Sequence, residues 1–392
     1  GPLTVNYARL QQRKAEVVER LHRGVQYLMR KHRIDVFYGT GRFERADRVA
    51  VALNDGSETV LEAAHVLVAT GSTARSVPGI AIDNRRILDS SGALVLDAPP
   101  RAIVILGAGA VGVEFASLFA ALGSAVTLVE LLPTVLPLED EEIGKGLERI
   151  FTRKGITVHT GTTATRATPR DGRVVVTLAR GDQTEEVEAD YLLVAVGRAP
   201  LVDGLQLEAV GVAVERGAIV VDGEFRTSVP TIYAVGDCIG RPYRLAHVAS
   251  DEAVHAVEAI AGVEHAPVNY QAVPRPTFSI PQVATVGLSE REAREAGYDV
   301  RVGRFAFQAN SKAVIEGERD GFVKVVTDGR TGEILGIHML GPGVTELLAE
   351  GVAVKYLEGT AVELAGAVHA HPTLAEALRE AALDALGRVL HA

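Results

Sequence analysis

The stretch that decides the fold of this 392-residue chain is Ile103-Val104-Ile105-Leu106-Gly107-Ala108-Gly109-Ala110-Val111-Gly112. Its apolar, β-branched start predicts a buried strand, and the G-x-G-x-x-G that follows predicts a tight turn opening a helix. Gly107 permits the turn, Gly109 lets a pyrophosphate approach the backbone, and Gly112 lets helix and strand pack closely. The helix N-terminus then offers free N–H groups and a positive dipole end to phosphates. The alternative is a glycine-rich turn that binds no ligand.

An acidic residue follows the next strand, which we expect over residues 125–129. The carboxylate of Glu130 can accept hydrogen bonds from both ribose hydroxyls at this position and would repel a 2′-phosphate. Residues 131–138 contain no arginine or lysine that could bind such a phosphate. The sequence therefore favours NAD over NADP, although Glu130 also has the simpler interpretation of a solvated loop acid.

Around this motif the chain alternates between strand-like and helix-like hydrophobic patterns. From residue 103 to residue 197 the order is strand, helix, strand, helix, strand, a small antiparallel portion and a last strand. That order is typical of an α/β domain with a parallel sheet. An amphipathic helix is predicted over 10–28, and further buried strands are expected at 65–72 and 231–235. After Pro267, strands and helices predict a separate α+β domain.

Two short buried segments of the chain resemble each other. Leu67-Val68-Ala69-Thr70-Gly71 and Leu193-Val194-Ala195-Val196-Gly197 both end on a glycine and are followed by a short polar loop. If the likeness is a true repeat, a first strand–helix–strand dinucleotide-binding unit is expected upstream of residue 1. Chance similarity is the alternative, because buried parallel strands are all rich in valine and leucine.

Composition and charge exclude several classes of protein. The 40 basic and 50 acidic side chains give a net charge of −10, which argues against nucleic-acid binding through phosphate contacts. The first thirty residues are too charged for a signal peptide, and residues 102–129 split into strand and helix patterns rather than one membrane span. The one cysteine, Cys238, excludes an internal disulfide and a multi-cysteine metal site. It fits a reducing compartment, so we expect a cytoplasmic protein.

Six segments together resemble the flavin-dependent pyridine nucleotide-disulfide oxidoreductases, and the likeness extends from about Tyr7 to Gly387. The segments are 69–72 (ATGS), the glycine motif with Glu130, 196–198 (VGR), 231–237 (TIYAVGD), 281–287 (PQVATVG) and 369–373 (HAHPT). The last segment separates the relatives, because soluble transhydrogenases typically lack its histidine and mercuric reductases carry a cysteine pair there. The resemblance is therefore to the branch that reoxidises a lipoyl dithiol.

The resemblance implies Rossmann-type dinucleotide-binding domains of the α/β class, followed by a C-terminal α+β dimerisation domain. It implies part of an FAD-binding domain over 3–99, an NAD-binding domain over 100–225, a return to the FAD-binding region over 226–266 and the dimerisation domain over 267–392. The implied activity is NAD-linked oxidation of a dithiol by a flavoprotein. The implied partners are a second copy in a homodimer, and the lipoyl and peripheral-subunit-binding domains of a 2-oxoacid dehydrogenase complex.

Position by position, the resemblance implies two sets of cofactor contacts. For NAD they are Gly107, Ala108, Gly109, Ala110, Val111, Gly112, Val113, Glu114, Glu130, Ala164 and Gly197. For FAD they are Thr70, Gly71, Ser72, Asp237, Arg244, Leu245, Ala246 and His247. Asp237 follows a buried strand, where its oxygens could accept hydrogen bonds from sugar hydroxyls or could simply initiate a turn.

His371 and Glu376 match the family's catalytic acid/base and the carboxylate that orients it. Thiol–disulfide chemistry needs a group that gives and takes a proton near neutral pH, and a carboxylate fixes the histidine tautomer. The family pattern also implies a cis peptide bond between His371 and Pro372. Glu376 has a second interpretation, because Thr373-x-x-Glu376 is a capping box that would open the last helix. His369 is expected to be structural, and no histidine spacing predicts a metal site.

Two features of the family are absent from these 392 residues: the flavin's own G-x-G-x-x-G and the redox-active cysteine pair. Cys238 is expected to be a small buried residue. We therefore expect FAD binding to be weakened and the chain, as written, to be inactive toward a lipoyl dithiol. Three hypotheses stay open: a disulfide reductase without its N-terminal segment, a non-catalytic NAD-binding dimer, and a diaphorase or transhydrogenase that needs no cysteines.

Overall fold

A computed structural model describes residues 5–264 and 266–391, so residues 3, 4, 265 and 392 of the predicted domain ranges lie outside the described residues. The helices are α1 (Tyr7–Lys31), α2 (Ser90–Leu94), α3 (Ala110–Ala121), α4 (Glu141–Arg153), α5 (Ala246–Ala261), α6 (Glu290–Glu295), α7 (Ser311–Glu316), α8 (Val344–Tyr356), α9 (Ala361–Gly366) and α10 (Glu376–Ala385). The strands are β1 (Gly39–Arg45), β2 (Arg48–Leu53), β3 (Glu58–Glu62), β4 (Val66–Val68), β5 (Ser72–Ala74), β6 (Ile87–Leu88), β7 (Ala102–Leu106), β8 (Ala125–Val129), β9 (Thr157–His159), β10 (Thr163–Arg170), β11 (Arg173–Arg180), β12 (Gln183–Ala189), β13 (Tyr191–Val194), β14 (Arg198–Pro200), β15 (Val214–Glu215), β16 (Ala218–Ile219), β17 (Ile232–Ala234), β18 (Arg275–Thr277), β19 (Gln282–Gly287), β20 (Val300–Ala306), β21 (Phe322–Asp328) and β22 (Ile334–Gly341).

The chain divides into two compact units. Unit 1 combines the N-terminal segment up to Ala74 with Arg198–Val268, and unit 2 combines Arg75–Gly197 with the C-terminal segment from Asn269. The sheets confirm the predicted α/β class with an α+β C-terminal part. The division into four domain ranges stays a prediction.

A five-stranded parallel sheet forms the centre of unit 2, in the order β6-β13-β7-β8-β9. Strands β7 and β8 pair from Ala102 with Ala125 to Leu106 with Val129, and α3 is the crossover between them. Helix α4 then connects β8 to β9, so the predicted order of strand, helix, strand, helix and strand is confirmed. Parallel strands are covered on both faces, which is why these segments are mostly apolar and largely buried.

An antiparallel sheet in the order β18-β19-β22-β21-β20 belongs to the same unit as the parallel sheet. Val283 of β19 and Leu340 of β22 are in one hydrophobic core with Ile143 and Leu147 of α4. The C-terminal part, which the sequence predicted as a separate domain, therefore shares a core with the dinucleotide-binding part. The three-stranded antiparallel sheet β10-β11-β12 completes unit 2.

Unit 1 is built from small sheets around a core that includes Phe43, Phe225 and Tyr233. Strands β1, β2 and β3 form an antiparallel sheet, β4 pairs with β17 in parallel, and β5 pairs with β14 and β15 with β16, both antiparallel. The buried strands predicted at 65–72 and 231–235 are the β4–β17 pair, which is only three residues long on each side.

Helix α1 is the predicted amphipathic helix. The side chain of Asn6 caps it by accepting a hydrogen bond from the Arg9 N–H at 3.0 Å. None of its residues is buried, and Val17 and Leu21 of its apolar face are 43% and 67% exposed. The helical pattern therefore forms, but the described residues leave its apolar face uncovered.

The apolar stretch 102–129 divides into β7, α3 and β8, as the sequence predicted. Helix α3 has 12 residues, well short of the roughly twenty that cross a bilayer. Within residues 5–264 and 266–391, no helix has the length and apolarity that a membrane crossing requires.

A buried ionic cluster fixes the start of α4 against β21. The Nζ of Lys324, a residue only 1% exposed, lies 3.0 Å from both oxygens of Asp140 and 2.8 Å from oxygens of Glu142 and Glu290. Asp140 is also the N-cap of α4. The hydrogen bond from Arg304 lowers the pKa of Glu142 to about 2, against the opposing effect of burial. The carboxylates and cations thus offset much of the cost of burying each charge alone.

We expect His338, next to this cluster, to make the protein less stable in mild acid. The ring on β22 is fully buried, and its Nε2 lies 2.9 Å from the Leu288 carbonyl oxygen. Burial lowers the pKa of His338 from 6.5 to about 4, against the attraction of Asp140. Between these pH values the unfolded chain binds a proton that the folded protein does not. The free energy of unfolding should therefore fall by up to about 1.4 kcal/mol per pH unit as the pH decreases.

Chemical unfolding of the wild type and of His338→Gln between pH 6.5 and 4 measures this loss. The glutamine keeps an N–H donor for Leu288 and does not titrate, so its curve should be flatter. His159→Gln, which removes a partly exposed histidine of the same unit, should retain the wild-type slope. Parallel curves for the wild type and His338→Gln would contradict the prediction.

Candidate functional site

The predicted glycine motif lies where β7 ends and α3 begins, at the carboxyl edge of the parallel sheet. Gly107 has a φ of +100°, and a Cβ there would come within 2.5 Å of the Ala195 carbonyl oxygen. A Cβ on Gly112 would overlap the Gly107 carbonyl oxygen. Glycine at both positions is therefore a requirement of the turn itself.

At Gly109, unlike at Gly107 and Gly112, the protein itself does not require a glycine. Gly109 is the N-cap of α3 with a φ of −70°, which other residues also adopt. Apart from its chain neighbours, no described protein atom lies within 4 Å of the place where its Cβ would be. It supplies no side-chain cap, so the first N–H groups of α3 and the positive end of the helix dipole are left for an anion. The open space at Gly109 fits the pyrophosphate of a dinucleotide.

Glu130 lies beside this loop and is 8% exposed, so it is not the solvated acid of the simpler interpretation. Its Oε2 accepts a hydrogen bond from the Ala108 N–H at 2.7 Å, and its Oε1 accepts one from the Leu132 N–H at 2.9 Å. A carboxylate has about four lone-pair positions, so about two remain for ribose hydroxyls. The backbone of Glu130 is held by His159 and Thr162, at 2.8 and 2.9 Å.

A cavity of about 450 Å³ is lined by His159 and Thr162, whose backbones hold that of Glu130, and by residues of β11 and β12: Leu178, Arg180, Gln183, Thr184 and Glu185. This volume is within the range of small-molecule sites. Sequence reasoning did not predict it, because its walls come from segments that only the fold brings together. It provides room for the part of a ligand that extends beyond Glu130.

Gly197 and Ala164 are the more distant NAD candidates. Gly197 follows β13, whose Val194 pairs with Leu106, and therefore lies at the same carboxyl edge as Gly107. Ala164 of β10 is buried in a hydrophobic core, so only its backbone is open to a ligand. The structure thus brings Gly197 to the glycine loop and places the side chain of Ala164 among core residues.

Glu114, the last candidate of the glycine stretch, is in α3. Its Oε1 accepts a hydrogen bond from the Phe278 N–H at 2.8 Å. Burial raises the pKa of Glu114, and that hydrogen bond opposes the rise. The carboxyl group is therefore held toward residue 278 of the same unit, with its second oxygen left for a ligand.

His371 and Glu376, the predicted catalytic pair, are in contact. The Nδ1 of His371 lies 2.9 and 3.2 Å from the two Glu376 oxygens, and the bond to Pro372 is cis, as the family pattern implied. Glu376 also accepts a hydrogen bond from the Thr373 N–H at 2.9 Å, so half of the predicted capping box is present as well. Helix α10 begins at Glu376 rather than nearer Thr373. Burial opposes the shift, but the Thr373 N–H and then His371 lower the pKa of Glu376.

This arrangement can transfer a proton. An ionised carboxylate only accepts hydrogen bonds, so Nδ1 of His371 carries the hydrogen and Nε2 keeps its lone pair. The ring is 68% exposed, which leaves Nε2 open to a thiol or thiolate. Glu376 stabilises the imidazolium that forms when Nε2 takes a proton.

The flavin candidates of unit 1 meet at the carboxyl ends of β4 and β17. The Ser72 hydroxyl donates to Asp237 at 2.5 Å, and the Arg198 Nε donates to that hydroxyl at 2.6 Å. The Thr70 hydroxyl donates to the Leu201 carbonyl oxygen at 2.6 Å, and Gly71 has a φ of +75°. Asp237 is therefore oriented by its neighbours and keeps acceptor positions for a ligand.

The remaining flavin candidates, residues 244–247, lie at the start of α5, whose N-cap is Leu245. The helix is tied to the segment around Asp237, because the Gly236 N–H donates to the Glu252 carboxylate at 2.7 Å. Ala246 and His247 thus begin a helix that packs on the Asp237 segment, and Arg244 and Leu245 directly precede it.

The two cofactors fit these residues to different degrees. In unit 2, the uncapped helix, the space at Gly109 and the lone pairs of Glu130 match the pyrophosphate and ribose of NAD. In unit 1, Asp237 offers acceptors to a flavin ribityl chain. No G-x-G-x-x-G occurs among the residues of unit 1, so the backbone donors that hold an FAD pyrophosphate are not supplied there. Unit 1 therefore fits FAD only in part.

Cys238 is fully buried, as expected for a small structural residue. Its Sγ lies 3.2 Å from the Val235 carbonyl oxygen and 3.6 Å from that of Val68. Burial raises the pKa of the Cys238 thiol, against hydrogen bonds from Thr70. A buried thiol without thiolate character is not a nucleophile for disulfide exchange.

Comparison with family models agrees with this architecture. Residues 3–253 match the model of the pyridine nucleotide-disulphide oxidoreductases, and residues 273–382 match the dimerisation domain of that family. The chain therefore belongs to the pyridine nucleotide-disulphide oxidoreductase family, and the predicted resemblance is confirmed. Membership implies binding of FAD and NAD(P), and the dimerisation domain supports a homodimer.

Relatives narrow the class without fixing the substrate. The dihydrolipoyl dehydrogenase of Chlorobaculum tepidum is 44% identical over 388 residues, covering 98% of this chain and 82% of the relative. Dihydrolipoyl dehydrogenase 3 of Pseudomonas putida is 40% identical over 389 residues, covering 99% and 83%. LpdA from Mycobacterium tuberculosis has a TM-score of 0.89 at 29% identity, covering 97% and 84%. The HOCl-induced flavoprotein disulfide reductase RclA from Escherichia coli has a TM-score of 0.87 at 28% identity, covering 96% and 86%.

Proposed function

We propose that this chain has the NAD(H) site and the acid/base residue of a dihydrolipoamide dehydrogenase, with NAD(H) at the glycine loop of unit 2 and His371 acting toward a lipoyl dithiol. Because these 392 residues contain no cysteine pair, we expect them not to turn over lipoamide on their own. The observation that carries the proposal is the His371–Glu376 pair at 2.9 Å, in a chain 40% identical to a dihydrolipoyl dehydrogenase over nearly its whole length. Its proposed partners are a second copy, and the lipoyl and peripheral-subunit-binding domains of a 2-oxoacid dehydrogenase complex.

The proposed chemistry of His371 is a proton transfer at Nε2. In the oxidative direction Nε2 takes the proton of a lipoyl thiol, which leaves the nucleophilic thiolate. Glu376 stabilises the imidazolium through Nδ1. In the reductive direction the same Nε2–H returns the proton to a departing thiolate.

NAD is the proposed nucleotide, and Glu130→Ala tests that choice. We expect the variant to bind NADH about tenfold or more weakly and to lose much of its preference over NADPH. Hydrogen bonds to a charged acceptor contribute about 1.5–3 kcal/mol each, and the repulsion of a 2′-phosphate disappears with the carboxylate. Calorimetric titration with both reduced nucleotides measures the two effects. Glu186→Ala, which removes an exposed acid of β12 that is not among the residues lining the cavity, is the matched control. Equal affinity of the wild type for NADH and NADPH would contradict the choice.

A second candidate function is a non-catalytic, NAD-binding dimer, and Cys238 is the observation that favours it. This residue is the one cysteine of the 392 and is buried. Exchange with a lipoyl disulfide requires an accessible thiolate and a resolving thiol. We therefore expect the chain alone to bind NADH without reducing lipoamide.

Two measurements on the purified chain separate the candidates. NADH-dependent lipoamide reduction should be absent, and turnover would contradict the argument from Cys238. Titration with dihydrolipoamide, followed by NMR of the histidine rings, should shift the signals of His371 and leave those of His159 in place. Unchanged His371 signals together with NADH binding would favour the non-catalytic dimer. A flavin absorption band in the purified protein would instead favour a diaphorase that needs no cysteines.

A further inference from the structure

We infer that His369 is a positioning residue, which holds the turn carrying His371 by bridging that turn to helix α8. This inference rests on the proposed acid/base role of His371. The two histidines are only two residues apart in the chain, but they lie in opposite environments. The side chain of His369 is 7% exposed, whereas that of His371 is 68% exposed.

Both ring nitrogens of His369 face acceptors. Nε2 lies 3.0 and 3.2 Å from the two oxygens of Glu350, which is in α8. Nδ1 lies 3.0 Å from the carbonyl oxygen of Ala367, in the turn itself. A carbonyl oxygen and an ionised carboxylate accept hydrogen bonds and do not donate them. A protonated ring donates from both nitrogens and therefore joins these two anchors as a cation.

The rest of the turn shows why this bridge matters. On the far side of His371, the Thr373 hydroxyl donates to the Ala370 carbonyl oxygen at 2.7 Å, and the Asn310 amide donates to the Thr373 carbonyl oxygen at 3.0 Å. On the near side, Val368 is 98% exposed and contributes no packing. The near side is anchored at Ala365, whose carbonyl oxygen accepts a hydrogen bond from Arg379 of α10 at 3.0 Å. Between Ala365 and His371, the His369–Glu350 contact adds a side-chain anchor to the long helix α8.

The charge of a protonated His369 ring also affects Glu376, the residue that orients His371. Glu376, which orients His371, is close enough for the cation to help keep its pKa low, after the larger effects of burial, the Thr373 N–H and His371 itself. Removing the ring takes away this small contribution, and the larger expected effect is that the turn is freed. The titratable groups that interact with His369 are Glu350 of α8, through hydrogen bonds, and Glu376 of α10, through its charge.

The test is the ring tautomer of His371, measured by long-range ¹H–¹⁵N correlation in the full chain. In the wild type, the two ring nitrogens of His371 should give well-separated signals, because Glu376 fixes the hydrogen on Nδ1. In His369→Gln and in Glu350→Gln the two signals should move toward each other and broaden. The Glu350 side chain is 35% exposed, and glutamine has nearly the same size. The Glu350→Gln protein should therefore fold even if the His369→Gln protein does not. His159→Gln, which removes a histidine paired with Glu185 elsewhere in the unit, is the matched control and should leave His371 unchanged.

Three outcomes are distinguishable. Convergence of the His371 signals in both variants, with wild-type NADH affinity, supports the inference. Unchanged His371 signals in both variants, even with a lower unfolding temperature, would show that His369 is only structural and would overturn it. The proposed function has its own test. If it is wrong, dihydrolipoamide leaves the wild-type His371 signals in place, whatever the two variants do.

Discussion

Gly109→Ala should weaken NADH binding at least a hundredfold and leave the fold intact. The new methyl group points into space that is free of described protein atoms within 4 Å, and a φ of −70° suits alanine. It would occupy the place where the pyrophosphate approaches the helix N-terminus. Loss of two hydrogen bonds to a charged group costs about 3 kcal/mol or more, which corresponds to a factor of about 100 or more in Kd. Calorimetric titration with NADH gives the affinity, and thermal unfolding gives the stability.

The stability readout makes the prediction specific. Alanine at a position it can adopt without strain raises stability slightly, by about 0.4–1 kcal/mol, so the unfolding temperature should not fall. Gly366→Ala, at the end of α9, also adds a methyl group with no atom within 4 Å and is the matched control, with unchanged NADH affinity. Wild-type affinity in Gly109→Ala would mean that no pyrophosphate binds at this loop. Substitution of Gly107 or Gly112 would test folding instead, because a side chain there meets the protein backbone.

Local patterns predicted the centre of the molecule well. The strand, turn and helix around Gly107 follow largely from the local sequence, because Gly107 has a positive φ and a side chain on Gly112 would meet the Gly107 carbonyl oxygen. The contact between His371 and Glu376 is also local, since only four residues separate them. Motifs whose parts are close in the chain therefore carry their own geometry.

Pairing and burial were harder to predict. Strand β1 (GTGRFER) was not foreseen, because two glycines and three charged residues depress strand propensity, and it forms by pairing with β2. The helical pattern of α1 was correct, but periodicity does not say what covers an apolar face, and none of its residues is buried. A hydrophobic pattern specifies an element, whereas burial depends on which other elements are present.

The ionic cluster was missed because its members are far apart in the chain. Lys324 and Asp140 are separated by 184 positions, and nothing in either neighbourhood indicates the other. One signal was available: Lys324 interrupts the apolar run FV-VV of strand FVKVVTD, and His338 interrupts the apolar strand ILGIHMLG. A polar or charged side chain inside such a strand is buried only with an interaction partner. Lys324 and His338 therefore each indicate that a partner exists, without indicating which residue it is.

Lys324→Met should destabilise the fold strongly, lowering the free energy of unfolding by about 3–5 kcal/mol. Methionine fills the space but leaves Asp140, which is 2% exposed, and its neighbouring carboxylates without the central ammonium. Uncompensated buried charge, rather than lost packing, is the expected cause. Chemical unfolding followed by circular dichroism measures the change.

The double variant Lys324→Met/Asp140→Asn separates these two causes. If buried charge dominates, neutralising Asp140 should recover part of the stability that Lys324→Met loses, because the remaining carboxylates are more exposed and Glu142 keeps Arg304. Lys145→Met is the matched control: it breaks an exposed pair with Glu141 one turn away in α4 and should cost less than about 1 kcal/mol. A Lys324→Met protein no less stable than Lys145→Met would show that the cluster does not hold α4 to β21. A double variant less stable than Lys324→Met would show that uncompensated charge on Asp140 is not the cause, because asparagine keeps the side-chain acceptor that caps α4.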